Sequence, residues 1–270
     1  ASCDGANANG CEVNLQTNAA HCGACGRACT AAQACVAGSC VPRCPAGMQL
    51  IPAGMFQMGA DDLPATATPV HGVRLSAFCM DTTEVTVAAY RMCTAPGCTA
   101  PNAGSTCNWM VGGRDTHPIN CLDWNQSRAY CQWRGGDLPT ESQWEYAARG
   151  TDGRVYPWGS TPAPSSQLCW NSASSCVVGS YPLGNSPFGL VDMAGNVLEW
   201  TLDWYASYTG SAGSYATDPT GPSSGSSRVI RGGSFGFQVG STGVRASYRE
   251  GKAAVDRSQY LGFRCARGAL

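Results

Sequence analysis

Apolar residues occur in short bursts along this chain, separated by polar, glycine-rich stretches. In MQLIPAGMFQMG (48–59) two bursts flank Pro52-Ala53-Gly54, which predicts two short strands joined as a hairpin. Helical spacing appears over Asn125–Arg134, where Ala129, Tyr130 and Trp133 share one face and Gly135-Gly136 stops the run. Glu141–Arg149 follows Thr140, with Gln143 completing a capping box T-x-x-Q and Gly150 closing the helix. A shorter helix is predicted after Thr86, in VAAYRMC. Beyond residue 150 the pattern breaks into short strands and long loops rich in Gly, Ser and Pro.

The first 44 residues follow a different rule. They hold Cys3, Cys11, Cys22, Cys25, Cys29, Cys35, Cys40 and Cys44 and almost no large apolar side chains. Such a stretch cannot build a core, so covalent cross-links must hold it. The alternative is zinc, because His21, Cys22, Cys25 and Cys29 have ligand-like spacing. The even count favours disulfides, with pairings left open. Two domains are therefore expected, a disulfide-rich module over 1–44 and a larger domain over 45–270. The module is similar to cysteine-rich segments, NGCE…HCGACG…C, of secreted bacterial proteins, which implies a spacer rather than a chemistry.

Seventeen cysteines in all point to an oxidising compartment, hence to a secreted or surface-displayed protein. No apolar run reaches the roughly 18 residues of a membrane span. No signal peptide is visible, and the chain is expected to start at Ala1 after removal of one. Charged residues make up 13% of the chain and the net charge is −1, with Lys and Arg scattered, which excludes a nucleic-acid partner.

The segments LSAFCMDTTEVT, HPINCLDWNQSRAYCQW, LPTESQWEYAARG, YPWG, NSPFGLVDMAGNVLEWTLDWY, RVIRGGSF and LGFRCAR follow one another in this order. Together they resemble the formylglycine-generating enzyme (sulfatase-modifying factor) family, over about Met48 to Arg267. The resemblance implies an α+β fold of C-type-lectin-like type, with a small twisted sheet, two helices and much irregular chain. Copper-dependent members convert a substrate cysteine to formylglycine through two cysteines just after the GGS turn, since Cu(I) needs soft thiolates. Counted from Gly232-Gly233-Ser234, those positions are Phe237 and Thr242, and no cysteine lies between Cys176 and Cys265. No copper and no catalytic residue are therefore expected. Leu198 replaces the family's tryptophan before the glutamate of GNxWEW. One family cysteine pair would fall on Ala148 and Ser247, both lacking sulfur; another maps onto Cys131 and Cys265, both present.

The resemblance also implies a structural Ca²⁺ in VDMAGNVLEW (191–200), held by the side chains of Asp192 and Glu199 and the carbonyls of Gly195 and Val197. Hard oxygens suit that ion. The alternative is that Asp192 and Glu199 only cap or pair inside a buried loop. A second family calcium site is not expected, because SASSCVVGS after Trp170-Asn171 has no carboxylate.

The remaining candidates read as structural. His21, His71 and His117 lie in no hydrolytic motif. Asp123, Glu141 and Glu145 sit near helix starts, where carboxylates favour free N–H groups. GGSFGFQVG lacks the lysine and the strand–helix setting of a phosphate loop. Arg228, Arg231, Arg245, Arg249, Arg257, Arg264 and Arg267 are expected to pair with carboxylates such as Glu199, Asp203 and Asp256 rather than line an anion pocket. Trp200, Trp204, Tyr205, Tyr208 and Tyr215 offer flat surfaces for sugars or interfaces, with the tryptophans expected in the core. Cys169 and Cys176 are expected to close a short loop, Cys93, Cys98 and Cys107 crowd another, and the odd total leaves one thiol over.

Three functions follow. The first is a secreted non-catalytic binding or assembly protein, whose partner is a glycan, a protein or itself in an oligomer or filament. The second is an oxidase or oxygenase using non-cysteine ligands. The third is a diversified lectin-like ligand-binding module, variable over 235–260.

Overall fold

The computed structural model describes residue 3 and residues 13–63, 67–104, 106–162, 164–211, 213–238 and 240–270. Strands β1 (Gln33–Val36) and β2 (Ser39–Pro42) form an antiparallel hairpin. Its two-residue turn, Ala37-Gly38, has φ of 48° and 76°, the positive values that match the twist of the flanking strands. Bridges Cys3–Cys25, Cys22–Cys35 and Cys29–Cys40 hold this module, so the thiols of the zinc-like run are consumed as disulfides. His21 instead accepts the Gly26 N–H through Nδ1, at 2.9 Å.

The first apolar run does not fold back on itself. Its strands β3 (Met48–Ile51) and β4 (Gly54–Met58) pair not with each other but with β6 (Phe78–Asp81) and β5 (His71–Leu75). The register is continuous: Met48 faces Asp81, Ile51 faces Phe78, Gly54 faces Leu75 and Met58 faces His71. The predicted hairpin is thus one long antiparallel ribbon, interrupted at Pro52-Ala53 opposite Ser76-Ala77. Proline has no N–H to give the ladder, so it marks a bend rather than a reversal. Past the bend, β5 is joined in parallel by β8 (Tyr215–Thr217).

All three predicted helices form. Helix α1 (Val87–Arg91) is capped by Thr86, whose side chain accepts the Ala89 N–H. Helix α2 (Trp124–Trp133) begins one residue before the predicted start, because Asp123 and Gln126 make a reciprocal capping box. Its inward face is Trp124, Ser127, Tyr130 and Cys131, whereas Trp133, predicted to face inward, is 41% exposed. Helix α3 (Glu141–Arg149) has the predicted Thr140–Gln143 box and stops at Gly150, φ 67°.

Two cores result. One packs Trp144, Tyr146, Ala147 and Ala148 of α3 against the ribbon residues Ile51, Phe56, Val73 and Phe78. The other sits between α2 and a sheet in the order β10 (Arg249–Lys252), β9 (Arg228–Arg231), β7 (Leu198–Trp204), β11 (Leu261–Gly262). The last strand, β12 (Ala266–Gly268), adds to β6.

Cys131–Cys265 and Cys169–Cys176 form as expected. Cys93–Cys98 and Cys107–Cys121 divide the crowded loop. Cys44 is the exception to a self-contained module. It bonds Cys79 of β6 and so ties the first segment covalently to the second. Sixteen cysteines are paired in these eight bridges; the seventeenth, Cys11, lies outside the described residues.

Candidate functional site

Strand β9 runs into the turn Gly232-Gly233-Ser234. Gly233 has φ 73°, and a Cβ there would lie 2.8 Å from the Gly243 carbonyl, so only glycine fits. Ser234 is 1% exposed and its carbonyl accepts the Phe237 N–H at 3.0 Å, a turn role. The Phe235 and Phe237 carbonyls accept the Ser172 and Asn171 N–H groups, which fixes the loop. The Phe237 ring lies against Gly243, where an added Cβ would meet it at 2.1 Å, and edge-on to Tyr248 at 6.4 Å between centroids. Thr242 is exposed, in a single helical turn over 242–244.

Beside this loop is a cavity of about 380 Å³. Leu198, Ser234, Phe237, Glu250, Arg257 and Tyr260 are among its lining residues. The two positions expected to grip copper thus offer a phenyl ring and an exposed hydroxyl. Every cysteine among the described residues is in a disulfide. The donor set does not fit Cu(I), which needs thiolate.

The acidic loop behaves differently. Asp192 (φ 57°), Gly195 (φ 80°) and Asn196 (φ 55°) turn the chain sharply before β7. A Cβ on Gly195 would sit 2.5 Å from the Cys169 carbonyl, so the loop needs that glycine. The Asp192 carboxylate accepts the Gly179 N–H at 2.6 Å. Glu84, which the sequence reading passed over, accepts from the Val197 N–H and the Asn196 side chain. Glu199, fully buried, accepts four hydrogen bonds. Three come from Arg264 (2.7, 2.8 and 3.0 Å) and one from Trp144 Nε1 at 2.8 Å. Burial, then Asp192 and Glu199, raise the Glu84 pKa well above the carboxylate range. Asp192 is likewise raised, chiefly by burial.

Three buried carboxylates therefore face one guanidinium. Oxygen donors suit a hard divalent cation, whose charge would favour the ionised forms that burial disfavours in Glu84 and Asp192. Within the predicted ligand set, Glu199 has both oxygens engaged by Arg264 and Trp144, whereas Asp192 accepts one bond, from Gly179.

Arg264 pairs with Glu199 as expected, whereas Arg231, Arg245, Arg249 and Arg257 take other partners than those named. Arg231 and Arg249 bond Glu141 (3.0 and 2.6 Å), and Arg231 also bonds Glu145 at 2.7 Å. Glu141 and Glu145, in the first turns of α3 as expected, are also buried ion-pair partners. Arg257 pairs with Asp123 rather than Asp256, and Arg245 with Asp62. Arg228 lies 3.7 Å over Trp124 and 3.4 Å over Trp204, and burial lowers its pKa to about 10. Trp200 is fully buried. His117 Nδ1 lies 3.0 Å from Arg114 and 3.1 Å from Ser175 Oγ. A guanidinium only donates, so this nitrogen accepts. Burial and Arg114 depress the His117 pKa, which marks a neutral ring joining two loops.

Residues 34–269 match the model of the sulfatase-modifying factor enzyme 1-like domain. The chain belongs to this family. The formylglycine-generating enzyme of Streptomyces coelicolor is 33% identical over 290 residues, covering 84% of this chain and 91% of that protein. The inactive C-alpha-formylglycine-generating enzyme 2 of Bos taurus is 38% identical over 167 residues, covering 56% of this chain and 50% of that protein. Among solved structures, PvdO from Pseudomonas aeruginosa superposes with a TM-score of 0.65 at 26% identity, covering 82% of this chain and 94% of its own. Treponema denticola variable protein 1 has the same score and coverages at 24% identity and shares the fold. This sulfatase-modifying-factor domain therefore keeps the family scaffold while the loop after its Gly-Gly-Ser turn carries Phe237 and Thr242.

Proposed function

We propose that this chain is a secreted or surface-displayed, non-catalytic member of the sulfatase-modifying factor family that works by binding or assembly. The observation that carries this reading is chemical: an aromatic ring and an exposed hydroxyl stand where copper-dependent members need two thiolates. No other free thiol is available among the described residues. Eight disulfides support an oxidising location, and no described helix is long and apolar enough to cross a membrane. Its partner is a glycan, a protein or another copy of the chain. The test pairs elemental analysis of the purified chain with incubation of a cysteine-bearing peptide under air and copper. No bound copper and no aldehyde-bearing product are expected. Stoichiometric copper or iron, or conversion of the peptide, overturns the reading.

Calcium is the second part of the proposal. Asp192, Glu199 and the carbonyls of Gly195 and Val197 would hold it, and the ion would brace the loop before β7 without taking part in a reaction. Ligand binding to the folded state alone stabilises it by about 2.7 kcal/mol at a hundredfold excess over Kd. Calcium chloride is therefore expected to raise Tm by several degrees over the EDTA-treated chain, and Asp192→Ala to abolish that increment. A Tm that calcium does not move would overturn the calcium site.

A further inference from the structure

A second cavity, of about 490 Å³, lies apart from the one beside Phe237. The first turn of α3, the end of β7 and the irregular segments 206–209 and 219–222 line it. Its volume is within the roughly 300–1,000 Å³ of small-molecule sites. Asp203 is the group in it that the fold leaves half used. This side chain is only 5% exposed. Its Oδ2 accepts the Glu141 N–H at 2.8 Å. Its Oδ1 faces Gly221 in the cavity wall, where an added Cβ would lie 2.9 Å away. Among the described residues nothing donates to Oδ1.

The surroundings restrict what binds there. The Glu141 carboxylate is held by Arg249, Arg231 and the Tyr208 hydroxyl, so the fixed charges around the cavity are already paired. A free anion would meet Asp203 and Glu141, and a free cation would meet Arg249. A neutral ligand meets neither penalty. His71, also in the lining, donates from Nδ1 to the Pro69 carbonyl at 3.0 Å. Burial, then the neighbouring Glu141, push Asp203 up to about 7, so near neutrality this carboxyl both donates and accepts. Met58, Pro219 and Pro222 supply apolar carbon beside these groups. Groups that give and take hydrogen bonds, next to apolar carbon, complement hydroxyls on a ring with a C–H face.

We propose that this cavity is a saccharide site, in which Asp203 holds the hydroxyls of one pyranose ring packed on Met58, Pro219 and Pro222. The proposal rests on the binding reading above and names its ligand class. Saturation-transfer NMR of the full chain with the methyl glycosides of glucose, galactose, mannose and N-acetylglucosamine tests it. Transfer to at least one glycoside is expected, weakened about tenfold by Asp203→Ala, which removes both the donor and the acceptor that the carboxyl offers. Ala216→Phe, at an exposed position in the lining, is expected to abolish the signal while leaving the buried ion pairs in place. No transfer to any of the four, or a signal unchanged in either folded variant, overturns the proposal. If Asp203→Ala does not fold, Ala216→Phe alone decides. None of these outcomes bears on peptide conversion, so the non-catalytic reading stands or falls separately.

Discussion

Arg264→Met is expected to destabilise the fold by about 3–5 kcal/mol, the usual result of stripping one partner from a buried ion pair. Arg264 is fully buried. Besides Glu199 it donates to the carbonyls of Asp81, Thr82 and Val191 at 3.1, 3.2 and 2.9 Å. Methionine of similar length fills the space but leaves Glu199, Glu84 and Asp192 without a counter-charge and three carbonyls without a donor. At roughly 2–4 °C per kcal/mol, Tm should fall by about 10 °C. The measurement belongs in EDTA, so that no cation replaces the guanidinium. Arg264→Met with Glu199→Gln is expected to recover part of the loss, because the glutamine oxygen still accepts from Trp144 without a charge. A single variant as stable as the parent, or a double variant no better than the single, would show that the pair is not what holds this region.

The second large effect is expected from the Cys131–Cys265 bridge. It spans a sequence separation of 134 residues and links α2 to the chain leading into β12. Cross-linking a loop of that size removes conformational entropy from the unfolded chain worth about 5 kcal/mol. Both sulfurs are fully buried in the core between α2 and β7, so Cys131→Ala with Cys265→Ala adds a small packing loss. Guanidinium unfolding should show a fall of about 4–5 kcal/mol, most of it through the unfolded state. The same pair of substitutions at Cys169 and Cys176, separated by only 7 residues, should cost less, because a short loop forfeits less freedom. Equal losses from the two bridges would contradict the entropic account.

Local signals carried much of the architecture. Thr140 and Gln143 specify the start of α3 through bonds made within one turn, and Gly150 specifies its end by a positive φ. Such features depend on residues a few positions apart, so they are legible without a fold. Asp123 and Gln126 carried the same signal for α2, and its spacing was there to be read. The face of α2 was not so accessible. Trp133 has the right period for the core, yet the Cys131 bridge and the contact of Trp124 with the sheet rotate the helix so that Trp133 lies at the surface. Pro52 announced a break in the apolar run but not its direction, because the partners of β3 and β4 lie 13 to 33 residues on.

The sites divide along the same line. The amino-acid order alone determined that Phe237 and Thr242 occupy the reactive loop, since the identity of an element at a position is independent of packing. It also supplied the cysteine count and the acidic loop around Asp192. Which carboxylate meets which cation was decided only by tertiary structure. Glu199 and Arg264 are 65 residues apart, Glu141 and Arg249 108. Glu84 joins the acidic loop across more than a hundred positions, and Asp203 becomes half-satisfied only where α3 docks on β7. Charge pairing acts through space with an energy that grows as water is excluded. Neither the distance nor the exclusion exists until the chain has folded.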